Sequence, residues 1–144
     1  MKFQELAGLK DFELVIRVDA FSELMLNHLM NVTKEALAST SETHDMLQVT
    51  ALHTTGEKIY TGISYGPQSG EQLIEKLKEQ GDTQVTHLVA MWQQGGIDIP
   101  SFDFRQALID LNEKNEFALL VMQGHDCLRT RTIGSTMPKK KDAE

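Results

Sequence analysis

Apolar residues recur along this chain in blocks whose spacing shifts between two and three-to-four, and the shifts mark out its elements. Phe12 to Val18, carrying Val15, Ile16 and Val18, predicts a first strand. Phe21, Leu24, Met25, Leu29, Val32 and Ala36 then follow at helical spacing. They predict a long helix ending near Ala38, with Asp19 or Ser22 as its N-cap. The run from Ser39 to Thr43 has no apolar anchor and reads as a loop.

Met46 to Leu52 alternates like a strand, with Leu47, Val49 and Ala51 on one face and Gln48, Thr50 and Leu52 on the other. A turn at Thr54–Glu57 returns the chain through Ile59 to Ile63 as a hairpin. Ser69 with Gln72 makes a capping-box pattern for a second helix, whose stripe is Leu73, Ile74 and Leu77 and whose stop is Gly81. Val85 to Trp92 has little charge and predicts a central strand, broken at Gln93–Gly96 and continued by an extended Ile97–Pro100. Asp103 with Gln106 resembles a further capping box, opening a third helix that runs to about Asn115. Phe117–Met122 and Cys127–Ile133 close the pattern as strands about a reversal at Gly124–Asp126.

The predicted order is β-α-β-β-α-β-α-β-β. Hairpins combined with crossover helices imply an α+β fold: a mixed, largely antiparallel sheet of five to six strands, with three helices covering one side. Residues 1–134 form a single domain in this reading, and 135–144 a flexible polar tail.

Composition narrows the function classes. The chain has 144 residues and a formal net charge of -7, and an acidic body repels phosphate backbones, which disfavours nucleic acid as a partner. With Cys127 as the only cysteine, there is no internal disulfide and no cysteine-rich zinc site. The N-terminus lacks an apolar signal core and no stretch is long enough to span a bilayer, so the expected setting is cytoplasmic, away from membranes.

One segment matches a catalytic signature, the G-x-S-x-G of Gly62–Gly66 around Ser64. Asp98 and His125 follow in the order such a triad needs, with Asp82 and His87 as further candidates. The nucleophile reading requires a sharp strand-to-helix turn at the serine, and Pro67 with a polar stretch intervenes instead. The glycines are therefore read as turn residues. His125 and Cys127 are two apart and form a candidate reactive or metal-binding pair, although the blander reading makes Cys127 a small core residue and His125 a turn residue. Trp92 and Gln93 at one glycine-rich loop, with Ser64 and Tyr65 at the other, define a candidate ligand- or partner-binding patch if the two loops converge. Phosphate-loop, dinucleotide-loop, zinc-protease and calcium-loop signatures are absent, and no cofactor is indicated.

These features lead to the expectation of a small binding or regulatory protein. It would act through protein–protein contacts, with another protein or a second copy of itself, or as an oligomeric subunit. The alternative is a small hydrolase or transferase using a Ser or Cys with a His, or a weak metal-binding protein.

Overall fold

The computed structural model describes residues 10–40, 47–65, 71–123 and 127–138. Its first element is helix α1, Lys10–Ala38. The strand expected at Phe12–Val18 is thus part of a helix. Its β-branched residues oppose helix by only a few tenths of a kcal/mol each. No Gly or Pro interrupts Lys10–Ala38, and the helical apolar spacing from Phe21 onward propagates back through it.

Strands β1 (Leu47–Thr54) and β2 (Ile59–Tyr65) form the expected hairpin, with Thr50 opposite Gly62. Helix α2 (Glu71–Gln80), strand β3 (Val85–Trp92) and the short β4 (Ile97–Asp98) follow. Helix α3 (Phe102–Leu111) leads through a 3-10 turn at Glu113–Phe117 into β5 (Leu119–Gln123) and β6 (Leu128–Thr132). The six-stranded sheet has the order β2-β1-β3-β5-β6, with β4 added to β3. Only β3 and β5 pair in parallel, as their connection through α3 requires. The architecture is α+β with a mixed sheet.

Helices cover both sheet faces rather than one. On one face α2 and α3 bury Leu73, Leu77, Phe104 and Leu108 against Leu52, Leu88 and Leu120. On the other, α1 buries Leu26 and Leu29 against Ala51, Val89 and Val121. The central strands β1 and β3 are buried on both sides, and each face needs its own cover.

The third helix also starts and stops differently from expectation. Ser101 is the N-cap, its hydroxyl accepting from the Phe104 N–H at 3.2 Å, while Gln106 donates instead to Asp110. The chain leaves the helix at Asn112, and the fully buried Asn115 resolves the exit. Its amide donates to the Leu108 and Thr83 carbonyls at 2.8 and 3.0 Å and accepts from the Val85 N–H at 2.7 Å. At the tip of the β1–β2 hairpin, Asp82 accepts from Thr54, Tyr60 and the Gly56 N–H.

Asn115→Ala removes the amide that meets the first N–H of β3 and the Thr83 carbonyl, while the Leu108 carbonyl keeps the Asn112 N–H. It should cost about 3 kcal/mol, read as a lower urea midpoint at unchanged slope. An unaltered midpoint would show that water replaces the amide without loss.

Candidate functional site

Strands β2, β3 and β5 run in the same direction, so their carboxyl ends gather at one end of the sheet with the start of β1. Helices α2 and α3 begin at that end. In layered sheets with crossover helices, the crevice beyond the carboxyl ends of the strands is where ligands bind.

The register fills this end with an unusual row. Ser64 lies opposite Gln48, and Gln48 lies opposite Trp92. Side chains alternate along a strand, so this row shares the face of Leu52 and Leu88, beneath α2 and α3. Gln48, Thr50 and Ser64 are all buried on the face that further along carries Leu52, Leu88 and Leu120. The Ser64 hydroxyl donates to the Gln48 carbonyl at 3.4 Å, and the half-buried Trp92 indole donates to Asp98 at 3.2 Å. Polar side chains break the layering of an otherwise apolar face at this end, as expected of a site rather than a core.

Two of the residues singled out in the sequence, Ser64 and Trp92, therefore fall in one row, two strands apart. Tyr65 follows Ser64 and stands opposite Leu47, while the Gln93 N–H donates to the Leu47 carbonyl at 2.9 Å. Sequence reasoning passed over Gln48 and Thr50, although their place on the Leu52 face of an alternating strand was the available signal.

Among the described residues, Ser64 meets neither His87 nor Asp82. Ser64 faces α2 and α3, whereas His87 lies opposite His53 on the α1 face. Asp82 is engaged at the far end of β2. The first glycine of the signature has a packing reason, since a Cβ on Gly62 would stand 2.7 Å from Leu73 Cγ. Gly66 lies outside the described residues, as do His44, Ser69 and His125. Cys127 is exposed, which overturns its reading as a core residue.

The structure does bring a serine to a histidine, but a pair the sequence did not flag. His87 Nε2 lies 2.9 Å from Ser22 Oγ of α1, and Nδ1 lies 2.8 Å from Thr86 Oγ1. Thr86 also meets His53 Nδ1 at 2.7 Å and donates to the His53 carbonyl at 3.2 Å. One proton arrangement satisfies every group: both Nδ1–H groups donate to Thr86, and Ser22 donates to His87 Nε2. His53 Nε2 faces Glu57 at 3.5 Å. Burial, and then the neighbouring His53, push the His87 pKa down to about 4. A base that weak is poorly matched to proton abstraction at neutral pH. Ser22 is only 2% exposed, although it borders a groove of about 300 Å³ between α1 and the β5–β6 hairpin. The network is a satisfied buried tie between α1 and the sheet.

No protein-family model matches the sequence, and no curated protein matches it. The fold, however, is similar to solved cytidine deaminases. That of Bacillus anthracis superposes with a TM-score of 0.63 at 11% identity, over 83% of this chain and 91% of the other. The enzyme of Mycobacterium tuberculosis gives 0.57 at 19% identity, over 80% and 95%. That of Burkholderia pseudomallei gives 0.57 at 18%, over 78% and 95%. This chain has the cytidine deaminase fold. The likeness spans nearly the whole of proteins named for work on a small molecule, and it overturns the expectation of a regulatory protein acting through protein contacts. Among the described residues, no helix is long and apolar enough to cross a membrane.

Nucleobase deaminases that use zinc hold it through one His or Cys and two cysteines. Here the lone cysteine is exposed, just ahead of β6. Among the described residues, no three His, Cys, Asp or Glu side chains gather to hold a metal. The residues present do not fit that centre.

The His87 environment sets a pH dependence. Folding keeps the proton off down to about pH 4, whereas an unfolded histidine takes it up near pH 6.5. Its contribution to stability is full above pH 6.5 and is lost as pH falls from there to about 4. Thermal melts across this window should fall less steeply for His87→Gln than for the parent chain; parallel slopes would remove His87 from this role.

Proposed function

We propose that the chain recognises a nucleoside-class small molecule at the carboxyl end of its sheet, where α2 and α3 begin. The observation that carries this reading is the buried polar row of Ser64 and Gln48 beside Trp92, set in a fold shared with proteins named as cytidine deaminases. A glutamine amide offers a donor and an acceptor side by side, the pattern displayed by the edge of a base. An indole supplies a flat face on which any base can stack, for about 1–3 kcal/mol. Ser64 adds a hydroxyl for a ribose or base oxygen, and Tyr65 and Gln93 occupy the next positions along the chain.

A hydrolytic reading is favoured by one feature. Glu71 opens α2 as an exposed carboxylate in its first turn. It also stands at the interval from Ser69 at which zinc deaminases place their proton-transferring Glu after a metal ligand. In this reading Glu71 would take a proton from a water that bonds to C4 of cytidine and pass it to the amino group, which would leave as ammonia and give uridine.

Trp92 is the only tryptophan, so its fluorescence reports on this site directly. Titration with cytidine or uridine should give a saturable change that ribose alone does not. Gln48→Ala should weaken binding roughly tenfold, about 1.4 kcal/mol. Calorimetry with Trp92→Ala should show a loss of similar or larger size. Absence of saturable binding for every nucleoside tried would end the nucleoside reading. Ammonia released from cytidine and abolished by Glu71→Gln would place hydrolysis first.

A further inference from the structure

We infer that the zinc centre of the deaminases has no counterpart in this chain, and that the start of α3 is rebuilt as a metal-free helix cap. Zinc deaminases carry a Pro-Cys-x-x-Cys segment and, elsewhere, a His or Cys two residues ahead of a Glu. The segment here with a proline leading into a helix start is Pro100-Ser101-Phe102-Asp103-Phe104, which has Ser101 and Phe104 at the two thiol positions of that pattern. Of the other prolines, Pro67 is followed by Gln68 and Pro138 by Lys139, so no Pro-Cys pair exists anywhere in the chain. Ahead of Glu71 stand Gly66, Pro67, Gln68, Ser69 and Gly70, none of which is a nitrogen or sulfur ligand.

The structure shows what the replacements do. Ser101 turns its hydroxyl to the Phe104 N–H at 3.2 Å, satisfying one of the donors that every helix start exposes. Phe104 is 3% exposed, in the cluster of Leu52, Leu88 and Leu108, and a phenyl ring has no lone pair for a metal. The next residue argues independently. Arg105 is buried, donating through Nε to the Pro100 carbonyl at 3.0 Å and through Nη1 to the Thr136 carbonyl and hydroxyl at 3.0 and 2.7 Å. A fixed cation bonded to the first residue of the segment repels a divalent ion there. The histidines of β1 and β3 cannot substitute, because His53 and His87 are committed to Thr86 and Ser22 on the opposite face.

The inference stands apart from the nucleoside reading, because metal content is measured without any ligand. The full chain, produced with zinc in the medium, should contain no zinc above background by elemental analysis. Its melting temperature should be the same with and without a chelator. Ser101→Ala should lower that temperature by a few degrees, equally in zinc-treated and chelator-treated protein. One zinc per parent chain, removed by the chelator together with a fall in melting temperature, would overturn the inference, as would a Ser101→Ala loss confined to zinc-treated protein.

Discussion

The antiparallel pairing of β1 with β3 decides where everything else can go. Its register sets Leu52 against Leu88 and Ala51 against Val89. Because side chains alternate, the first pair faces α2 and α3 and the second faces α1. A slip of one residue would exchange the faces of every side chain on the slipped strand and leave neither helix layer a complementary surface. The same parity assigns the polar residues. Gln48 and Trp92 go beneath the helix starts, and His53 and His87 go beneath α1.

Each buried polar group then has to be met, and the two faces do this differently. Beneath α1, Ser22, His87, Thr86 and His53 satisfy one another, and no cavity is needed. Full burial of Leu26 and Leu29 on the same helix stabilises by about 2 kcal/mol each. A satisfied hydrogen bond contributes nearer 1 kcal/mol. Leucine packing therefore holds α1 on the sheet, and the Ser22–His87 bond selects its rotation and axial position. At the carboxyl end the Ser64 hydroxyl donates to the Gln48 backbone carbonyl, and the Trp92 indole donates to Asp98 across the turn that the Trp92 N–H closes on Gly96.

Much of the fold was legible because it follows local periodicity. The limits of β3, the hairpin of β1 with β2 and the stripe of α2 are each dictated by residues close together in the chain. The misreadings occurred where two local signals competed. Val15, Ile16 and Val18 suit a strand, yet they precede a helix with nothing to stop it. Asp103 and Gln106 satisfy a capping box, yet Ser101 caps first because Pro100 ends the extended segment one residue earlier. Cys127 appeared apolar enough for a core, but its place before the edge strand β6 leaves it exposed. The candidate site was half legible. Ser64 and Trp92 mark strand ends next to glycine-rich loops, which sequence can show. Their alignment through Gln48 depends on which strand lies between them, and strand order is a nonlocal property.

The start of α3 shows how a metal site can be absent without the helix start being left unmade. A structural zinc in a small domain is worth on the order of 10 kcal/mol, because one ion joins several distant stretches of chain. Here the joining is distributed. Ser101 closes the first turn, Phe104 anchors the helix in the shared core, and Arg105 links Pro100 to Thr136 across the chain. Each hydrogen bond to the guanidinium contributes a net of about 1.5–3 kcal/mol, so this arrangement secures the element with contacts that are individually weaker than a metal. No single group has to be deprotonated to make them, and no ion has to be acquired before folding. The geometry of the helix start depends on the chain alone.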